Sequence, residues 1–494
     1  MNMLSSSLAP GAPASGSSRT SGPSRAVATI RSFLMLLQLE IRRSQGYWVL
    51  PLMIGIGVYA PSIDHLPEIV LWPEMSMATL ESYVIVGPLA AALAAWLVDR
   101  ERRRRMRNLV DSIPGSGLRR DLLALGAASF WGLAGYAGVA IWFCGQAVLW
   151  ATWGGPDVGL MGTGAIAVVA FAAIGVVIGR LLPSKFSPLL ALGATFFLTI
   201  GADLFKITYD DGSYRNPVQL LMPYGLSRAS YPSVFYRENQ GFTAEVGLWM
   251  VALVGLLIAV IALLRSWNAV SWLALAGTVL LAGVAAAPLV NPTLTWGPQS
   301  WTLIEYTPVC QEQDEFEVCL HPAYKTELDE TAQQVSSTFG PVQGLDGVPT
   351  RWQQANPALG GGSEEPGVID QVGYQYGLLG PVSGIFPVPG NDSQHGQRPA
   401  SQLVIMDWLI RQSSFGPPGS GFFGWPSEVP VFTQDYGDGF IGTGPDEAAL
   451  AAFQPKMDAA RERFAALPEA EQRSWLEANW DALRAGDLTL DDLP

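Results

Sequence analysis

The sequence predicts an α-helical membrane domain followed by a soluble α+β domain. Apolar segments of membrane-spanning length fill the first 289 residues, and the remaining residues contain none. The first part carries 20 Lys and Arg against 15 Asp and Glu, whereas the second carries 9 against 28. A basic, apolar part and an acidic part of about 200 residues therefore follow each other in one chain.

A segment needs about 20 mostly apolar residues to cross a bilayer as a helix. Seven segments come close to this requirement, although the first is short and contains Pro51. They are 47–61, 78–98, 122–151, 161–182, 187–206, 243–264 and 268–289. Pro88 lies in the middle of the second span and is expected to kink it. The pattern Gly175-x-x-x-Gly179 in the fourth span favours close packing of helices.

The connecting loops differ sharply in charge, which predicts the orientation of the spans. The segment 99–121 carries eight arginines, whereas the loops 62–77 and 152–160 carry no Lys or Arg. By the positive-inside rule the N-terminus is cytoplasmic and the C-terminal domain, 290–494, is extracytoplasmic. The predicted location is the plasma membrane, with several spans and opposite ends on opposite sides.

The two terminal segments have contrasting compositions. Residues 1–25 are mostly Ser, Gly, Pro and Ala, which predicts a disordered cytoplasmic tail. The excess of 19 acidic residues in 290–494 excludes nucleic acid as a partner, because phosphates require Lys and Arg. Short β-like runs at 301–306 and 317–320, with helices at about 445–466 and 468–485, indicate an α+β domain.

An apolar segment with charged ends, within 26–46, precedes the first span. It predicts a helix lying on the inner membrane surface, and the alternative is that it simply begins the first span. Its charged residues are Arg31, Glu40, Arg42 and Arg43.

The arginine-rich segment 99–121 also contains a helical pattern. Its apolar residues recur at helical spacing and form one face, ended by Pro114. They are Met106, Leu109, Val110 and Ile113, and Glu101 and Arg105 lie on the same segment. A cytoplasmic helix of this kind needs a protein partner for its apolar face. The alternative is an arginine cluster that only sets topology, with its apolar side dipped into lipid.

The predicted outside loop 207–242 has an unusual composition. Apolar stretches stand among prolines, which indicates short helices that re-enter the outer leaflet, or else an amphipathic surface loop. The candidate residues of the re-entrant segment are Pro217, Leu221, Pro223 and Tyr224.

Cys310 and Cys319 flank a polar turn between two short strands. An oxidising exterior favours a disulfide between them, and the alternative is two unpaired thiols. His321 follows closely and is interpreted as a structural, hydrogen-bonded histidine. The sequence contains no catalytic or metal-binding motif, so it predicts no enzyme, no metal and no cofactor of its own.

The combined pattern resembles the permease subunits of ABC-2 type transporters. The resemblance rests on the segment ending Glu40-Ile41-Arg42-Arg43, on Gly87-Pro88-Leu89-Ala90-Ala91 followed by Asp99-Arg100-Glu101-Arg102, and on the Pro-rich outside loop. It covers roughly 26–265, and the Ala-, Gly- and Arg-rich style resembles actinobacterial proteins. The seventh span and the domain that it exports depart from the usual six-span family pattern.

The resemblance implies a function. The arginine-rich helix after the second span would dock on a separate ABC ATPase subunit, and the outside loop would hold re-entrant helices. Because the chain lacks G-x-x-x-x-G-K-[ST], ATP would be bound by that partner. A second permease copy, as a homodimer or related pair, and membrane lipid are the other expected partners. The expected activity is export of an apolar or amphipathic substrate. The alternative is a membrane-anchored extracytoplasmic binding or sensing module, with the spans as scaffold.

Overall fold

The computed structural model describes most of the chain, with gaps. The described residues are 23–64, 70–100, 116–201, 207–208, 214–215, 221, 234–290, 301–354, 367–369, 382, 385–386, 397–412, 425–426, 429, 431–435 and 441–494. The predicted disordered tail 1–25 therefore lies almost wholly outside them.

Nine helices make up the described part of the N-terminal region. They are α1 (Pro23–Arg43), α2 (Gly46–Asp64), α3 (Trp72–Glu81), α4 (Tyr83–Val98), α5 (Ser116–Trp150), α6 (Val158–Leu181), α7 (Ser187–Ile200), α8 (Gln240–Arg265) and α9 (Ala269–Val290). Six helical stretches are long and apolar enough to cross a membrane: Gly46–Ile63, Trp72–Val98, Gly117–Trp150, Val158–Leu181, Gln240–Arg265 and Ala269–Leu289. This agrees with six of the predicted spans. The helix within the remaining one, 187–206, has 14 residues, and 202–206 lie outside the described residues.

The second span differs from its prediction in where it begins. Its helix starts at Trp72, because Pro73 occupies the first turn, where its missing N–H is tolerated. Ser82, between α3 and α4, keeps helical dihedrals, and the helical stretch continues through Pro88 to Val98. The kink at Pro88 itself stays a prediction.

Glycines allow α4, α5 and α6 to approach closely. A Cβ at Gly175 of α6 would overlap the backbone of Ala91 in α4, lying 2.7 Å from its Cα. One turn later, a Cβ at Gly179 would lie 3.1 Å from the Cα of Ala95. The predicted small-residue motif therefore lies against the α4 backbone, where no larger side chain fits.

The first helix packs alongside the bundle. Trp131 in α5 donates its indole N–H to Ser44 Oγ at 2.7 Å, just after α1 ends. Arg119 donates to Ser32 at 3.4 Å, so α1 and the first part of α5 run in the same direction. On its other side α1 exposes large apolar side chains such as Leu34 and Leu39. That exposed face suits lipid, while the position of α1 relative to a membrane surface stays a prediction.

The bundle has two chemically distinct ends. At the arginine end, which we define by Asp121, Arg180 and Arg265, the start of α5 meets the ends of α6 and α8. At the tail end, residues 152–153 and 234–238 contact the C-terminal region. Both α6 and α8 run from the tail end to the arginine end. The chain between them, 182–239, therefore returns from the arginine end to the tail end.

The C-terminal region contains short strands and four α-helices among its described residues. Strands β5 (Val309–Gln313), β6 (Phe316–Leu320), β7 (Arg351–Gln354) and β8 (Val368–Ile369) form a sheet in that order. The β5–β6 pair is antiparallel and the others are parallel. The helices are α10 (Leu328–Phe339), α11 (Ala400–Gln412), α12 (Glu447–Ala465) and α13 (Glu469–Ala485).

The other described strands form two-stranded pairs. These pairs are β1 (Ile207–Thr208) with β2 (Tyr214–Arg215), β3 (Tyr236–Glu238) with β4 (Trp301–Leu303), β9 (Gln397–Arg398) with β10 (Trp425–Pro426), and β11 (Val431–Asp435) with β12 (Ile441–Pro445). The mixture of helices and sheet agrees with the predicted α+β class.

One core joins the sheet to the helices of the C-terminal region. Trp352 of β7 stacks on Phe339 of α10 with ring centroids 4.1 Å apart. An apolar stripe on α13, formed by Leu476, Trp480 and Leu483, is buried in the same core. Trp480 donates its indole N–H to Asp346 O at 2.8 Å. Cys310 and Cys319 stand opposite each other on β5 and β6 and form a disulfide, with Cα atoms 4.0 Å apart.

Candidate functional site

A cavity of about 1130 Å³ opens at the tail end, between α3, α6 and α8. The starts of these three helices surround it, and the loop 151–157 and Ile304 complete its rim. Its volume slightly exceeds the usual range of small-molecule binding pockets, which is about 300–1,000 Å³. The cavity is therefore large enough for a sizeable ligand.

The deeper wall of the cavity is apolar. Met77, Leu160 and Ile166 contribute side chains to it, and Gly162 and Gly247 contribute bare backbone. Thr163 also lines it, but its hydroxyl donates to Gly159 O at 3.0 Å within its own helix. This wall therefore offers mainly hydrocarbon contacts.

The mouth of the cavity is polar and carries both signs of charge. Asp157 precedes α6 and accepts the Leu160 N–H at 3.0 Å, which caps that helix. Arg237 lies on β3 and is exposed, and Gln240 begins α8. The cavity is therefore charged at its mouth, at the tail end, and apolar in its interior.

The rim of the cavity is also the junction between the bundle and the C-terminal region. Thr152 donates its hydroxyl to Ala323 O at 2.7 Å, and β3 pairs with β4. The ring of His321 lies 4.8 Å from that of Trp153 and 5.4 Å from that of Phe235. The ring of Tyr306, from the C-terminal region, lies 4.6 Å away, so aromatic side chains from both regions surround this histidine.

His321 is held in its neutral form at this junction. Its side chain is fully buried, and Nδ1 accepts the Ala323 N–H at 3.1 Å. Burial disfavours the charged ring and lowers its pKa from 6.5 to about 4. The structure agrees with the predicted structural role and adds that the histidine joins the two regions.

We expect His321 to make the folded chain less stable in acid. Because its folded pKa is depressed, its contribution is complete above pH 6.5 and is lost as the pH falls toward 4. One pKa unit corresponds to about 1.36 kcal/mol, so the shift of the His321 pKa corresponds to a full loss of about 3 kcal/mol of unfolding free energy. The measurement is the thermal unfolding midpoint of the purified chain between pH 7.5 and 4.

The matched variant for this measurement is His321→Asn, which keeps an acceptor for the Ala323 N–H but does not titrate. Other acidic groups titrate in both proteins, so only the difference between them reports on His321. Identical pH profiles would contradict the assignment.

At the opposite end, a buried carboxylate holds three helices together. The Asp121 side chain is 1 % exposed and accepts from Arg180 Nε at 2.8 Å and from Arg265 Nε at 2.7 Å. Arg180 belongs to the last turn of α6, and Arg265 ends α8. We call this cluster the Asp121 clamp.

A second ion pair lies at the same end. Arg100, just after α4, contacts Glu40 of α1 at 2.7 Å. In the sequence, the predicted coupling residues stand between Arg100 and Asp121, outside the described residues: Glu101, Arg105, Met106, Leu109, Val110 and Ile113. Glu40 was predicted only as a charge of an interfacial helix, and the structure adds its partner.

The predicted outside loop is described only in part. Leu221 is half-buried, and its carbonyl accepts the indole N–H of Trp249 in α8 at 2.7 Å. Pro217, Pro223 and Tyr224 lie outside the described residues. The re-entrant helices stay a prediction.

Sequence reasoning did not identify the cavity or the clamp. Local signals existed for the clamp, since Asp121, Arg180 and Arg265 each stand at an end of an apolar span. Their pairing joins positions 59 and 144 residues apart, which no local pattern shows. The cavity has no sequence signature beyond the glycines that leave space in α6 and α8.

Comparisons with protein families, with curated proteins and with solved structures gave no match to this chain.

Proposed function

We propose that this chain is the permease subunit of an ATP-binding-cassette exporter of the ABC-2 type. In this proposal a separate ATPase binds ATP and supplies the energy, and two permease copies enclose the transport path. The N-terminus is cytoplasmic and the C-terminal domain is extracytoplasmic. The substrate is apolar or amphipathic.

The observation that carries the proposal is that the described residues on either side of the segment 101–115 are tied to the helices of the bundle. The Glu40–Arg100 pair ties its start to α1, and the Asp121 clamp ties the helix after it to α6 and α8. A partner that moves this segment therefore pulls on helices that reach the opposite end. Such a linkage is what a permease needs in order to convert ATPase motion into opening of a path.

The distribution of charge supports the proposed orientation. Arg100, Arg119, Arg180 and Arg265 all lie at the arginine end, where the positive-inside rule requires the cytoplasm. The C-terminal region contacts the other end through Thr152 and β3. The return of the chain between α6 and α8 supports a seventh crossing, which includes α7.

The mechanism follows from the two ends of α6 and α8. At the arginine end both helices are held by Asp121, and at the tail end both line the cavity. A displacement of α5 by the ATPase would move their inner ends together through the clamp. Their outer ends would then separate around the cavity and admit or release substrate.

The test is co-purification from the native membrane in mild detergent. The wild-type chain is expected to retain a stoichiometric Walker-type ATPase, identified by mass spectrometry. The double variant Leu109→Glu, Val110→Glu is expected to lose it, because two charges interrupt the apolar face of the predicted coupling helix. The charge-matched control is Asn108→Glu, Ser112→Glu, which leaves that face unchanged.

If the control and the face variant retain the ATPase equally, the proposed docking mode is wrong. If the wild-type chain carries no ATPase, the permease proposal itself is wrong. The junction at His321 would then favour the alternative of a sensing module, in which a ligand of the C-terminal region acts on the bundle. That alternative predicts that adding the ligand alters the protease sensitivity of the loops 152–157 and 234–239.

A further inference from the structure

The cavity at the tail end has the shape of a site for one membrane lipid. Ile166 stands two turns into α6, about 12 Å from its start, and Gly247 lies about 10 Å into α8, at 1.5 Å per residue. One leaflet of a hydrocarbon core that is about 30 Å thick has a depth of about 15 Å. The apolar wall therefore extends through most of one leaflet.

The wall of the cavity between α6 and α8 leaves room for a ligand. Gly162 of α6 and Ala244 of α8 both line it, and both are exposed. A Cβ placed at Gly162 would meet nothing within 4 Å. An acyl chain therefore has space against this part of the wall.

The mouth indicates what kind of head group fits. Asp157 and Arg237 bring one negative and one positive charge to the rim, and Gln240 adds an amide. A purely anionic head group would meet repulsion from Asp157. A head group with a phosphate and an ammonium presents a charge of opposite sign to each.

We propose that this cavity binds one phospholipid with a zwitterionic, ammonium-bearing head group from the tail-side leaflet. Its acyl chains lie against Ile166, Met77 and the glycines of α6 and α8. Its phosphate is recognised by Arg237 and its ammonium by Asp157. The site goes beyond the proposed function, since it requires no ATPase.

The experiment uses the full-length chain in mild detergent and phosphatidylethanolamine with a photoactivatable group on its acyl chain. Peptide mapping by mass spectrometry is expected to place the label on α6 and α8 near Gly162 and Gly247. Labelling should saturate at one lipid per chain. Unlabelled phosphatidylethanolamine should compete about tenfold better than phosphatidylglycerol, which lacks the ammonium, and better still than diacylglycerol, which lacks both charged groups.

Two variants test the position of the lipid. Gly162→Leu and Gly247→Leu fill the cavity, and the nearest atom to an added Cβ at Gly247 is Thr163 Oγ1 at 3.4 Å. Both are expected to lose the saturable label while retaining the elution volume of the wild type. The matched control is Gly145→Leu in α5, where a Cβ also meets nothing within 4 Å but no cavity is filled. Arg237→Gln should reduce the preference for phosphatidylethanolamine over diacylglycerol, because only the pairing of the ammonium with Asp157 remains.

Three results would overturn the proposal. Label spread evenly over all lipid-facing helices, unchanged by Gly162→Leu, would mean annular lipid only. If phosphatidylglycerol competed as well as phosphatidylethanolamine, the charges at the rim would not select a zwitterionic head group. Competition by soluble phosphoethanolamine as strong as by the lipid would mean that the apolar wall contributes nothing. None of these measurements involves the ATPase, so they are independent of the co-purification test.

Discussion

Replacing Asp121 with alanine is expected to reduce the unfolding free energy by about 3–5 kcal/mol, the cost of removing one partner from a buried ion cluster. Arg180 and Arg265 would each lose their contact with the single carboxylate that joins α5, α6 and α8. The measurement is thermal unfolding of the purified chain in detergent, followed by tryptophan fluorescence.

Glu40→Ala is the matched control for this prediction. It also removes one carboxylate from an ion pair at the arginine end, but that pair is partly exposed, with side chains 28 % and 18 % accessible. Such pairs contribute about 1 kcal/mol or less. If Asp121→Ala and Glu40→Ala lower the unfolding midpoint equally, the Asp121 clamp contributes no more stability than a partly exposed ion pair.

Gly175→Ala is expected to be the most damaging single methyl addition in the bundle. The new Cβ would overlap the backbone of Ala91, which cannot rotate away as a side chain can. The helices α4 and α6 must then separate, at a cost of about 3 kcal/mol, near the upper end for overpacked sites. The same unfolding measurement checks this value.

The chain offers a graded series of controls for this prediction. Gly179→Ala places its Cβ 3.1 Å from the Cα of Ala95 and should cost less. Gly193→Ala in α7 meets nothing within 4 Å and should change stability little, or raise it through helix propensity. Equal effects at the three positions would contradict the close packing of α4 on α6.

The spans were largely predictable because membrane length and hydrophobicity impose a strong constraint on composition. Six long helices match predicted spans within a few residues, apart from the early start of the second at Trp72. That early start was not predicted, because Glu74 lowers the hydrophobicity of the segment before 78. The apolar stripe on α13 was predictable because its residues recur at helical spacing within a single helix.

The candidate site was much less predictable, because long-range contacts create it. His321 was recognisable as a structural histidine, but its neighbours Trp153 and Phe235 come from two other loops. The cavity depends on how three helix starts diverge, and neither composition nor periodicity encodes that. Glycines in α6 predicted close packing, yet Gly162 of the same helix borders open space.

The pairing of β3 with β4 has a consequence for the synthesis of this protein on the ribosome. Tyr236 pairs with Leu303, which emerges 67 residues later, after roughly 3–13 s at ordinary rates of translation. His321 follows shortly afterwards, whereas α13, which packs in the C-terminal core, is made later. The first strand of the C-terminal region can therefore pair with the bundle before the chain that completes this core has been made.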